Sequence, residues 1–267
     1  MKKYISFFRI RLLAGLQYRA AAYSGMATQF VWGIMEVLMY AAFYRVGGEQ
    51  FPMDFQALSS YIWLRQAFLS LFMLWILDND IFSMITSGNI AYELARPIDI
   101  YDMWFVKNLS MRISKAALRC MPVLVFAALL PAPYGIAAPV GIIEFLLFLI
   151  TCVLALFTVV AFCMLIYVST FYTMNPLGIR MVSNALGEFL SGSLIPFPFF
   201  PKTIASLLSF LPFAGMQNLP FRIYGGDITG SEIFSGIALQ IFWLAAMVIF
   251  GKLWTAHALK RVVVQGG

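Results

Sequence analysis

Long apolar runs separated by short polar or proline-rich breaks fill the chain from residue 21 onward. Six runs, at about 21–44, 58–77, 103–130, 139–172, 179–194 and 231–253, predict six membrane-crossing helices. A helix rises about 1.5 Å per residue and a hydrocarbon core is about 30 Å thick, so the fourth run is overlong and must tilt or protrude. The fifth is the shortest. The third is apolar only in its second half, because Lys107, Arg112, Lys115 and Arg119 occupy the first. Those four are predicted to lie among anionic headgroups with their aliphatic stems snorkelling, and Pro122 to bend the helix.

The breaks carry as much information as the runs. Residues 1–20 hold Ile5, Phe8, Leu12 and Leu16 on one helical stripe, with Lys3 and Arg11 opposite, predicting a basic amphipathic helix in the headgroup layer. Arg9, Arg11 and Arg19 interrupt any signal-peptide core. Residues 45–57, with Gly47, Gly48 and Pro52, form a short polar link. Residues 78–102 are the most charged stretch. Ile81, Met84 and Ile85 recur at helical spacing, Ser87-Gly88-Asn89 breaks that helix, and 90–95 can start another before Arg96-Pro97 stops it. A short helix on a membrane face, rimmed by charge, suits docking on a soluble partner, and an ordinary solvated loop fits the composition equally well. Residues 195–226 are apolar but cut by Pro196, Pro198, Pro201, Pro212 and Pro220, and the run from Lys202 to Leu211 is too short to cross a bilayer. This predicts a re-entrant or interfacial helical hairpin packed against neighbouring spans.

Composition fixes the class. Of 267 residues, 62% are hydrophobic and 11% charged, where soluble domains average about 45–50% and about 25%. The expected fold is therefore an all-α polytopic membrane protein: one transmembrane domain over 1–267 with no soluble domain. The net charge of +6 does not point to nucleic acid, because about fourteen of the 18 Lys and Arg residues flank the spans on one side. That side is predicted to be cytoplasmic, with both termini, 78–102 and 173–180 on it; 45–57, 131–138 and the hairpin are predicted to be external. The three cysteines lie within apolar segments, which argues against a disulfide framework or metal cluster.

Charges within spans are costly and so informative. Glu36 and Arg65 lie in adjacent runs a few turns from their shared link, so they can pair as a structural lock. Glu144 falls near the external interface. Glu188, flanked by Gly187 and Gly192, is the candidate for facing a cavity or a partner subunit, and the same small residues permit a close helix seam. Pro196 and Pro198 open the hairpin, which serves either as an aromatic belt or as a gate. No nucleotide-binding Gly-x4-Gly-Lys-Ser/Thr motif, metal-spaced cluster or catalytic constellation is present in the sequence, and the single histidine, His257, sits at a span end. Neither a catalytic nor a metal site is expected.

The segment Thr86-Ser-Gly-Asn-Ile-Ala-Tyr-Glu-Leu-Ala-Arg-Pro97 resembles the Gly-x-hydrophobic…Leu-x-Arg-Pro signature of one bacterial subgroup of ABC-2 type permeases. The six runs, basic N-terminal helix, helical loop and proline-broken hairpin resemble that family's layout along nearly the whole chain. The resemblance implies a membrane subunit of a bacterial cytoplasmic-membrane exporter, built with a second permease and two copies of a separate ATPase. ATP and Mg would then bind the partner, with no cofactor in this chain, and membrane lipids would surround it. It also implies that 81–95 is a coupling helix seated in the ATPase, with Ile81, Ile85, Gly88, Tyr92, Glu93, Arg96 and Pro97 at that contact and the N-terminal helix as a second one. Two other classes remain open: a channel with 195–226 as its pore loop, though that stretch is poor in polar groups, and a lipid-modifying enzyme, though no acid–base cluster supports it.

Overall fold

A computed structural model describes residues 2–47 and 51–261; part of the predicted 45–57 link, at 48–50, lies outside the described residues. Among those described, the protein is 79% helix with no strand. The helices are α1 (Lys2–Leu16), α2 (Arg19–Gly47), α3 (Phe55–Phe72), α4 (Asn79–Thr86), α5 (Ile90–Leu94), α6 (Ile100–Leu129), α7 (Ile142–Thr173), α8 (Pro176–Leu190), α9 (Lys202–Ser209), α10 (Asn218–Tyr224) and α11 (Ser231–Leu259). Polar side chains start many of them. Asp54 accepts from the amides of Gln56 and Ala57, Asp78 from Asp80, Asp99 from Asp102, and Asn175 from Leu177 ahead of α8, whose first residue is Pro176.

α6 and α7 form the middle of the bundle. α1, α2 and α3 pack on α6, whereas α8, α10 and α11 pack on α7. Trp63, Trp104, Tyr61, Tyr167, Phe197 and Phe221 are fully buried between them. The outer surface is apolar: Trp32, Met35 and Phe43 of α2, and Phe234, Phe242, Phe250 and Leu253 of α11, are exposed. Ala22–Gly47, Ile142–Thr173 and Ser231–Leu259 are each long and apolar enough to cross a membrane. The fold is that of a helical membrane protein.

Two ends are distinguished by what they gather. The loop end holds α4, α5, the α7–α8 turn and the close of α11. The hairpin end holds residues 130–141, the short helices α9 and α10, and the start of α11.

Several sequence expectations shift. α3 ends at Phe72, not near 77, and the following residues turn back on themselves, with the amide of Ile76 donating to Met73 O and that of Leu77 to Trp75 O. α8 has 15 residues, about 22 Å at helical rise, well under a hydrocarbon thickness. The stripe of α1 is rotated from the expected one. Phe8, Leu12 and Leu16 are partly buried, together with Tyr4 and Phe7, but Ile5 is 62% exposed. The cause is α6, against which α1 lies closely enough that a Cβ on Gly15 would collide with Ser114.

Candidate functional site

Two polar assemblies stand out, one inside the bundle beside α2, α3 and α8, the other at the loop end. In the first, Arg65 projects from α3 and pairs with the Glu36 carboxylate of α2, as the sequence suggested. The two side chains are only 11% and 15% exposed. The other Arg65 nitrogen donates to the Ser193 carbonyl, just past the end of α8. One turn away, the Tyr61 hydroxyl donates to the Gly192 carbonyl at 2.9 Å. α3 thus holds the turn that follows α8 through two backbone carbonyls, those of Gly192 and Ser193.

Gly192 has a φ of +75°, the left-handed region that favours glycine, and a Cβ there would press on Phe197 and Asn218. Gly187 is buried and meets Leu74 of the same chain, closely enough that a Cβ would collide. Both residues proposed for a seam therefore serve contacts within the chain. Pro196 is buried, and it precedes a single 3₁₀ turn at Phe197–Phe199 that contains Pro198. Glu188, in contrast, is exposed on α8 among Met181, Leu186 and Phe189, and lies within Coulombic range of Arg65. Glu144 sits in the first turn of α7.

One consequence is measurable. Because Arg65 holds both Glu36 and the Ser193 carbonyl, Arg65→Gln should lower the melting temperature of purified protein more than Glu36→Gln does. The two changes should couple by about 1–2 kcal/mol in a double-mutant cycle. Strict additivity would mean that the pair does not interact.

The second assembly anchors the charged loop. Arg112 of α6 is fully buried, and its guanidinium donates to three carbonyls where α3 breaks: Leu71 O and Met73 O at 2.9 Å and Ile76 O at 2.7 Å. It also donates to Asn108 Oδ1 at 2.8 Å and reaches Cys163 Sγ at 3.2 Å. Asn108 and the backbone amide of Asp78 both donate to the Tyr167 hydroxyl, each at 2.7 Å. Lys107 bridges Asp78 at 2.9 Å and Asp80 at 3.1 Å. The expectation that Lys107 and Arg112 snorkel to headgroups is therefore corrected, because both turn inward to satisfy acceptors of the α3–α4 turn. A signal existed in the sequence: Trp104, Asn108 and Arg112 recur every four residues and so share one helical face.

On this foundation sits the loop. Ile81, Ile85 and Ile90 are buried and fasten α4 and the start of α5 to the core. Arg180 of α8 donates to Asn79 Oδ1 at 3.0 Å and lies over the Phe82 ring. Gly88, between the two short helices, has a φ of +74° with open space around it. Lys3 of α1 donates to Pro97 O at 2.8 Å, and Asp102 of α6 meets Lys252 of α11 at 2.8 Å. What remains exposed is an edge: Tyr92 (75%), Leu94, Arg96 and Pro97, with Glu93 paired to Arg96 at 3.4 Å. Of the seven residues assigned to a docking contact, Ile81 and Ile85 face inward, Gly88 makes the bend, and Tyr92, Glu93, Arg96 and Pro97 lie along that edge.

A family model described as "ABC-2 family transporter protein" matches residues 26–266, which takes in most of α2 and every later helix. No curated protein matches the chain.

Proposed function

The chain belongs to the ABC-2 family of transporter proteins, and from that membership we propose that it is one permease half of an ATP-driven exporter. The observation that carries this reading is the loop edge of Tyr92, Glu93, Arg96 and Pro97, an aromatic and charged ridge set on a rigid buried base. A ridge so placed transmits force instead of absorbing it. Pressure on α4 and α5 passes through Ile81, Ile85 and Asp78 to α6 and α7, and through Arg112 to the end of α3. A separate ATPase pair, holding ATP and Mg, is the proposed source of that pressure, with α1 as its second contact.

In this reading α2, α3, α6, α7, α8 and α11 are six spans, and both termini and residues 78–102 face the cytoplasm of a bacterial cell. The basic residues of α1 and of the loop end support that orientation. The shortness of α8 supports a crossing completed by residues 191–226, folded back as a re-entrant hairpin. A second permease is proposed against α2 and α8. An exposed carboxylate amid exposed apolar side chains is poorly tolerated by lipid, so the Glu188 face calls for protein or a water-filled path. Arg65, reaching from the Glu36 pair toward that face, lies at its border.

Purification of the tagged chain from its native membrane in mild detergent tests the proposal. A Walker-motif ATPase should copurify in near-equal amount to total permease, together with a second permease or a second copy. Recovery of the chain free of any ATPase, from membranes in which it is active in export, would refute it.

A further inference from the structure

At the hairpin end, residues 209–215, α10 and the first half of α11 line a cavity of about 440 Å³ that shares only Asn218 with the Arg65 cluster and nothing with the loop. Its inner wall holds Gln240, 2% exposed. The amide nitrogen of Gln240 donates to Gly215 O at 2.7 Å and Thr151 O at 3.0 Å, which fixes the orientation of the amide. Its oxygen is then a fixed acceptor, and it has no partner among the described residues. Buried polar atoms are seldom left so, and because Gln240 lines the cavity, an occupant there can supply the missing donor. Trp243 cannot supply it, because its indole N–H is committed to Phe210 O at 2.8 Å; the ring forms an apolar wall.

The mouth has a different character. Arg222 lines the cavity but is neutralised by Asp227, so the rim carries the negative charge of Glu232, beside the exposed Ser235. Glu232 and Gln240 stand eight residues apart on one helix, about 12 Å along its axis. We propose that this cavity binds an elongated cationic amphiphile, with its amine at Glu232, its apolar body along Trp243, and a hydroxyl or amide N–H donor at Gln240. The amine belongs either to a membrane aminolipid or to a free amphiphilic amine, and the two present the same chemistry to the site.

The test uses the full chain in phosphatidylcholine nanodiscs, photolabelled with a diazirine-bearing eight-carbon amino alcohol. Labelling should concentrate on peptides from 209–243, and 8-amino-1-octanol should compete about tenfold better than octylamine, which lacks the inner donor. Ser235→Trp, at the exposed mouth, and Glu232→Gln should each cut labelling about fivefold or more without altering folding. Gln240→Leu should abolish the preference for the amino alcohol over octylamine. Adding phosphatidylethanolamine distinguishes the sources: suppression of labelling assigns the resident amine to lipid, persistence assigns it to a free amphiphile, and either leaves the site standing. Labelling spread evenly over exposed apolar helix surfaces, or unchanged by both Ser235→Trp and Glu232→Gln, would overturn the proposal.

Discussion

Arg112→Met should leave little folded protein in the membrane, and what is recovered should melt far below the wild type. The substitution preserves bulk, so the loss comes from polar atoms. It strips donors from the carbonyls of Leu71, Met73 and Ile76 and from Asn108 Oδ1, all inside the bundle. Each unsatisfied buried group costs about 1–3 kcal/mol, although a buried cation also carries a desolvation penalty that the methionine removes. With several acceptors stranded at once, the first effect wins, and a net loss of roughly 3–5 kcal/mol is expected. That is a large share of a typical stability of about 5–15 kcal/mol. Arg112→Lys keeps the charge at the end of α3 but cannot fork to three carbonyls, so it should fall between the two. Size-exclusion profiles and thermal melting in detergent measure this, and a wild-type melting temperature for Arg112→Met would show that the network is incidental.

The second large effect belongs to the loop, and there folding should be spared while transport is lost. Glu93, its side chain 13% exposed, pairs with the 56% exposed Arg96, so Glu93→Lys should cost about 1 kcal/mol, small beside a typical stability of about 5–15 kcal/mol. At a docked interface the same change sets an unpaired charge in a desolvated contact, at about 2–5 kcal/mol, weakening assembly tens- to thousands-fold. Gly88→Val acts by another route. No neighbour blocks the added side chain, but a β-branched residue resists a φ of +74° by about 1–3 kcal/mol, so the bend between α4 and α5 should re-form differently. In proteoliposomes containing the whole transporter, both variants should insert normally yet lose export and export-linked ATP hydrolysis together. Unchanged transport per ATP in both would make the loop a passive link.

Much of this architecture was legible in the sequence, for identifiable reasons. α7 and α11 announce themselves through unbroken apolar runs, and the α4–α5 bend through Gly88 and the stop at Arg96-Pro97. The Glu36–Arg65 pair followed from two charges at matching depth in neighbouring helices. The end of α3 was not legible, because Leu74, Ile76 and Leu77 continue the apolar run while Arg112, 39 positions beyond Met73, captures the carbonyls where the helix ends. Lys107 and Arg112 resemble headgroup anchors when only their charge is read. Their inward direction depends on acceptors from α3 and on Tyr167 of α7, and no local pattern encodes those. The rotation of α1's inward face toward Tyr4 and Phe7 and away from Ile5, and the intrachain roles of Gly187 and Gly192, were hidden in the same way, since each is set by a neighbour distant in sequence. The Gln240 cavity likewise needs α7, α10 and α11 to meet.

The central claim is that a separate ATPase seats against the exposed edge of α5. The most direct measurement places a photoreactive side chain at Tyr92 and irradiates native membranes, with Phe242 on the exposed face of α11 as the control position. The account predicts a covalent adduct between the chain labelled at 92 and a Walker-motif ATPase, diminished by Glu93→Lys and absent from 242. No ATPase adduct from 92 in membranes that export, or an equal adduct from 242, would contradict it.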